Sequence, residues 1–335
     1  GQVFTVDIEN ALAFIFNDTL IYNIWIKQRP NIRRLILVDY PEPPARNHLI
    51  TFLGILNKYL KAPDHIHEHT LEFIRTVETY VQRTNSFNAL ELQKILIDIQ
   101  EINDPDVYLS AWQPPVSCHN INPGGCYLEP FLASCGMWNM FHTLTVSAND
   151  AAKPLEVLQA MYGFMYNFFF CGECRLHFLN MYEQTIGKYG SVDTLDKSIL
   201  WLWCTHNTVN QAWSLEIGNS WPPHPRFPLP LACPDCWGDT LRGSGPYTNC
   251  AKLFCEGNQG LNKCFSAKRK EDQSAFPRTY SEFSVPAVLN YLRGVYSGPY
   301  SKLNSRTTRL IINENNICPL FQGKHNSKIS PNGQH

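Results

Sequence analysis

The first 117 residues contain no cysteine, although the chain holds twelve. Thiol chemistry, disulfide staples and thiolate metal sites are therefore excluded from its first third. Charge is scarce as well: Asp, Glu, Lys and Arg make up 17% and the net charge is −1, below the usual quarter. That balance gives no electrostatic case for binding nucleic acid or an anionic membrane surface. No apolar run approaches the ~20 residues that span a bilayer. The chain begins Gly1-Gln2-Val3, without an initiator methionine or a signal-like segment, and so reads as a processed form or a fragment. Aromatic residues reach 13%, a richness that suits either a flat ligand or a large core.

All twelve cysteines lie between Cys118 and Cys318. An even number, several of them in Pro- and Gly-rich stretches, points to an oxidising compartment with structural bridges. The secretory lumen or the extracellular space is the expected location. Asn17-Asp18-Thr19 is a sequon that chance alone would also supply.

Residues 1–107 read as a helical, cysteine-free domain. Ile8–Phe16 is a mostly apolar run of helix length. Leu49, Phe52, Leu53, Leu56 and Leu60 recur at helical spacing, as do Leu71, Ile74, Val77 and Val81, and then Leu92, Ile95, Leu96 and Ile99. His65, His67 and His69 alternate and read as solvated residues at a helix start. Residues 108–125 form a Pro/Gly-rich linker, and a second unit spans 126–297, with a cysteine-containing insertion at 238–280 and a tail at 298–335.

The second unit is organised around Phe168-Phe169-Phe170-Cys171-Gly172-Glu173-Cys174-Arg175-Leu176-His177-Phe178. The pair Cys171/Cys174 falls within or near a helix start, where the backbone dipole favours the thiolate. Arg175 and His177 add positive charge beside it. Trp138 and His142 share a helix face, a pattern more often of core packing than of a cofactor site. The helix at 196–215 aligns Trp203, His206, Asn207 and Asn210 in one stripe. Spacing alone leaves a planar-ligand clasp and a buried hydrogen-bonded network equally open. Alternating prolines keep Trp221–Pro230 extended and deliver a second pair, Cys233 and Cys236. Val285, Val288, Leu289, Leu292 and Val295 form a last amphipathic helix. Two CxxC pairs also spell a tetrathiolate zinc site. Their wide separation, the aromatic setting of the first pair and the other cysteines weigh against zinc.

Three motifs occur in order: Trp138-Asn139-Met140-Phe141-His142, Cys171 to Phe178, and His206-Asn207-Thr208-Val209-Asn210. In sequence and rough spacing they resemble the Erv/ALR flavin-linked sulfhydryl oxidases. The similarity is closer still to the quiescin sulfhydryl oxidases, in which a cysteine-poor helical domain precedes the Erv domain. The strong match covers about 126–236 and 282–297. The resemblance implies an all-α fold, a four- or five-helix bundle holding FAD with the first domain docked as a pseudo-dimer partner, and hence a monomer. It implies a thiol oxidase that forms disulfides from dithiols, in reduced proteins or thioredoxin-like donors, and reduces dioxygen to hydrogen peroxide. Cys174 looks like the cysteine facing the flavin, and Cys171 like the partner attacked by an incoming thiolate. Trp138, His142, Glu173, His177, Trp203, His206, Asn207, Val209, Asn210, His224, Arg226 and Phe227 look like the FAD-binding set. Cys126–Cys135 and Cys233–Cys236 look like structural disulfides.

The chain departs from the family's pattern at three positions. Phe131 stands where the relatives often carry Arg. The expected basic residue of the proline-rich segment becomes His224 or Arg226, and Phe227 falls where Trp is common. Cys204, inside the flavin-binding helix, is also unusual, and the partners of Cys118, Cys204, Cys250, Cys255, Cys264 and Cys318 cannot be read from sequence. Thioredoxin domains that feed electrons in the quiescin enzymes have no counterpart here, so small dithiols are the expected substrates and folded proteins poor ones. The competing expectation is a cofactor-free, disulfide-stapled helical module.

Overall fold

The structure, a computed structural model, describes residues 8–9, 11–12, 15–16, 44–60, 66, 68–83, 129–148, 152–169, 172–188, 190–216, 227–230, 232–238, 247–255 and 282–298. Side chains at 44, 69, 129–135, 172–173, 211–216 and 247 fall outside that description.

The N-terminal stripes fold as their spacing predicts. Helix α1 (Pro44–Tyr59) and helix α2 (Glu68–Arg83) pack together. Leu49, Phe52, Leu53 and Leu56 are buried on one, and Leu71, Ile74, Val77 and Val81 on the other. Ile8, Leu12, Ile15 and Phe16 join this core: Phe16 meets Phe73 edge-on at 4.8 Å, and buried Thr70 donates to Glu9 Oε1 at 2.7 Å. The expected stripe at Leu92–Ile99 and the side chains of His65, His67 and His69 lie outside the described residues.

The second unit consists of α3 (Glu129–Ser147), α4 (Glu156–Phe168), α5 (Gly172–Tyr182), a π-turn (Glu183–Gly187), α6 (Leu195–Glu216) and α8 (Val285–Tyr296). Short α7 (Cys250–Phe254) lies between α6 and α8 in the chain. Nine of the α4 residues are buried, from Val157 to Phe168. A helix apolar on nearly every side belongs at the centre of a bundle, and α4 touches α1, α3 and α5. Its contact with α1 is antiparallel: His48 meets Asn167, Phe52 stacks on Phe164 at 4.4 Å, and Lys58 and Tyr59 reach Glu156 at 2.8 Å. The N-terminal helices thus pack on the second unit through the α1–α4 contact.

Caps and turns place the site helices. Thr194 accepts from Lys197 N at 3.2 Å at the head of α6, satisfying one of the unpaired N–H groups of the first turn. Just beyond the π-turn, Gly190 has a φ of +58°, which suits glycine, and its N–H closes on Ile186 O at 2.9 Å. Pro286 sits in the first turn of α8, where its missing N–H costs nothing.

The segment expected only as a loop at 238–280 carries more structure. Strand β1 (Tyr247–Thr248) pairs antiparallel with β2 (Phe283–Ser284), in the register Tyr247↔Ser284 and Thr248↔Phe283. Asn249 caps α7 by accepting from Lys252 N at 2.9 Å. The fold is otherwise helical, as expected. Replacing Phe164 by Ala removes a fully buried ring and its stacking partner. We expect a loss of about 3–5 kcal/mol in folding stability, measured as a lower urea midpoint at unchanged m-value.

Candidate functional site

Helix α5 opens on Gly172-Glu173-Cys174. Cys174 is the third residue of that helix, half-buried, packed against the core and disulfide-bonded. The unpaired N–H groups of a helix start face this turn, so negative charge on sulfur is stabilised there. Helix α5 docks on α6 through Trp201, which meets Phe178 edge-on at 5.6 Å and Tyr182 at 5.7 Å. The Trp201 indole N–H donates to Thr185 Oγ1 in the π-turn at 2.7 Å, and that hydroxyl donates to Met181 O. Arg175 is buried and Leu176 is 60% exposed. His177 is half-buried one turn beyond Cys174. Cys171 and the side chain of Glu173 lie outside the described residues.

Five residues beyond Trp201, at His206, α6 meets α3 in a cluster of rings. Trp138 and His206 stack at 4.3 Å with planes 6° apart, and His142 Nε2 lies 3.1 Å from His206 Nδ1. Phe227 closes the cluster, 5.4 Å from His142 and 4.9 Å from His206. Tyr296 of α8 stacks on His142 at 5.0 Å beside Phe227, 6.4 Å away, and its hydroxyl donates to Asn139 Oδ1 at 3.2 Å. The four residues Trp138, His142, His206 and Phe227, named from sequence motifs far apart in the chain, thus share one site.

Trp203 and Asn207 hold the backbone of Phe227. The Asn207 amide donates to Phe227 O at 2.8 Å and accepts from Phe227 N at 2.9 Å, while the Trp203 indole donates to the same carbonyl at 2.6 Å. Both side chains are therefore spent on the Phe227 peptide, the hydrogen-bonded network that spacing left open. Trp237 repeats the device one residue on, donating to Pro228 O at 2.8 Å, and Trp203 packs edge-on against Phe283 at 4.5 Å. Val209 and Asn210 continue α6 as half-buried residues. His224 and Arg226 lie outside the described residues, as does the side chain at position 131.

The cysteines divide as follows. Cys233 and Cys236 are bonded to each other with Cα atoms 5.4 Å apart, as the resemblance implies. That bond leaves neither sulfur free for the zinc alternative. Cys204, fully buried, pairs with Cys250 at a Cα separation of 5.8 Å, a bridge from α6 to α7 that sequence could not assign. Cys255 is disulfide-bonded too. Cys118, Cys126, Cys264, Cys318 and the side chain of Cys135 fall outside the described residues.

Sequence reasoning missed Tyr296, Trp237 and the role of Asn139. Tyr296 had a signal: it stands four residues after Leu292 and eight after Val288, an aromatic on the apolar stripe of α8.

His142 defines what the cluster accepts. It is fully buried, and desolvation pushes its pKa down to about 3, so the imidazole is neutral. Its Nδ1 has no hydrogen-bond partner. A buried polar atom left unpaired costs about 1–3 kcal/mol. Trp138 and His206 touch, so no ring fits between them. A planar heteroaromatic group that packs over this cluster and supplies a hydrogen bond matches both features. Flavin is such a group, and the residues present fit it.

Because His142 takes up a proton in the unfolded chain near pH 6.5 but in the folded chain only near pH 3, acid favours unfolding between those values. Stability is expected to fall below pH 6.5, with a contribution of up to about 1.4 kcal/mol per pH unit from this group. His142→Phe should flatten that slope, measured by urea unfolding at pH 7, 6 and 5.

Comparison with known proteins agrees with this layout. Residues 135–220 match the Erv1 / Alr family. Among curated proteins, the chain is 35% identical over 209 residues to sulfhydryl oxidase 1 of Oryza sativa subsp. japonica, covering 58% of this chain and 37% of that protein. It is 39% identical over 117 residues to sulfhydryl oxidase 2 of Homo sapiens, covering 30% and 16% respectively. The chain therefore spans well under two thirds of the length of these relatives. Among solved structures, the sulfhydryl oxidase fragment of human QSOX1 superposes with a TM-score of 0.56 at 21% identity, covering 88% of this chain and 95% of that one. That superposition shows a shared fold. Residues 135–220 thus match the Erv1 / Alr family, and the fold around them is shared with the sulfhydryl oxidase fragment of human QSOX1.

Proposed function

We propose that the chain is an FAD-dependent thiol oxidase that forms disulfides from dithiols and passes the electrons to dioxygen, giving hydrogen peroxide. The observation that carries this reading is the disulfide-bonded Cys174 in the first turn of α5, on a helix docked against the α6 that bears the ring cluster. Trp138, His142, His206 and Phe227 would hold the cofactor, with Trp203 and Asn207 fixing Phe227. Glu173, His177, Val209, Asn210, His224 and Arg226 complete the proposed set. The division at 1–107 and 126–297, Cys126–Cys135 as a structural bridge, and a monomer in the secretory lumen or outside the cell belong to the same proposal.

A substrate thiolate attacks Cys171 Sγ. One S–S bond forms to the substrate as the Cys171–Cys174 bond breaks, and the electron pair leaves on Cys174. The start of α5 stabilises that thiolate. The second thiol of the substrate, once deprotonated, attacks the mixed disulfide, so the dithiol is oxidised and the cysteine pair reduced. FAD, when bound, takes two electrons from the reduced pair and yields them to dioxygen. His142 stays neutral in its dry pocket and offers its open nitrogen as a hydrogen-bonding edge. The walls of the cluster exclude water. Small dithiols are the proposed substrates of this chain, with folded proteins and thioredoxin-like donors slower.

The second reading, a cofactor-free stapled module, draws support from the way Trp203 and Asn207 are already satisfied within the protein. The two separate on one preparation. In the enzyme the wild type and Cys174→Ser both show flavin absorbance, and dithiothreitol drives oxygen consumption only in the wild type. A colourless wild-type protein that consumes no oxygen overturns the oxidase reading.

A further inference from the structure

The contact between α1 and α4 has one feature that packing alone does not require. The His48 imidazole lies directly over Gly163: a Cβ added there would sit 2.8–2.9 Å from three atoms of the histidine side chain, closer than real contacts allow. Glycine at 163 is thus the space the histidine occupies. Beside it, Asn167 Nδ2 lies 2.6 Å from His48 Nδ1 and 2.8 Å from Gly163 O. The carbonyl can only accept, so the group facing it is the amide NH2. The same NH2 must then donate to the imidazole, whose Nδ1 is the unprotonated acceptor. Burial also disfavours the charged form of His48.

Asn167 is 1% exposed and stands in the last turn of α4. Phe168 and Phe169 follow it into the core, and α5 begins at Gly172. The two helices pack against each other. Whatever fixes the end of α4 therefore fixes how the chain enters the turn that carries Cys174.

We propose that His48, contributed by the cysteine-free N-terminal helices, is a positioning residue for the Cys174 disulfide. By accepting from Asn167 it holds the final turn of α4 and, through it, the start of α5. The N-terminal helices are then a working part of the redox site, although they carry no thiol. The catalytic consequence rests on the oxidase reading above; the effect on the disulfide itself does not.

The test compares wild type, His48→Ala and His48→Asn, the last keeping an acceptor near the place of Nδ1. Each is equilibrated with graded dithiothreitol, alkylated, and assayed at Cys174 by mass spectrometry, alongside kcat and KM for dithiothreitol oxidation. His48→Ala should shift the reduction equilibrium about five-fold, the size of one net hydrogen bond, and lower kcat more than it changes KM. His48→Asn should restore both. Equal values for wild type and His48→Ala, or equal losses in His48→Ala and His48→Asn, overturn the proposal. If His48→Ala does not fold, Gly163→Ala takes its place by driving the ring aside, and an unmoved Cys174 equilibrium in that variant is equally fatal. A wild-type chain that oxidises no thiol defeats the oxidase reading, and the alkylation equilibrium still decides the role of His48.

Discussion

Asn207 closes on the Phe227 peptide with both halves of its amide, and the ring cluster depends on that closure. A side-chain amide that pairs with a backbone N–H and C=O imitates a rung of sheet, with none of its own polar capacity wasted. Phe227 opens the described stretch 227–230, which belongs to no helix or strand. Held by Asn207, Trp203 and, at the next carbonyl, Trp237, it becomes a fixed wall against His142 and His206. Polar side chains in a helix interior are usually a liability. Here they turn a loop into part of a rigid site, which is the condition for holding a planar group in one orientation.

The rest of the bundle serves the same wall. Helix α4 supplies the apolar centre, α5 and the π-turn brace Trp201, and Trp201 shares α6 with Trp203 and Asn207, which grip Phe227. Helix α8 arrives from β2 and stacks Tyr296 on His142. An exposed ion pair between Asp196 and Arg293 joins the head of α6 to α8; at the surface it adds little energy but agrees with the register set below it.

Much of this was legible beforehand for identifiable reasons. Stripes such as Leu49 to Leu60 and Leu71 to Val81 declare a helix because only one face can be buried. The redox helix was legible from its cysteine spacing, and the site from three motifs whose order is improbable by chance. What stayed hidden depends on contacts between distant residues. Spacing could not tell whether Trp203 and Asn207 reach a ligand or a peptide, since the answer lies in a loop 20 residues on. The Cys204–Cys250 pair was equally unreadable, because each sulfur had several partners of equal standing. Gly163 looked like an ordinary helix glycine until the ring of His48 was seen filling its missing side chain.

That second bridge ties positions 46 apart in sequence into a covalent ring. By chain entropy such a closure is worth about 4 kcal/mol against the open unfolded chain. Its geometry also decouples continuity from integrity. A backbone cut anywhere between the two sulfurs leaves both pieces on one molecule, with the wall behind Phe227 still anchored from either side. In an oxidising medium a single nick in that ring therefore releases none of His206, Asn207 and Phe227, which all lie within it.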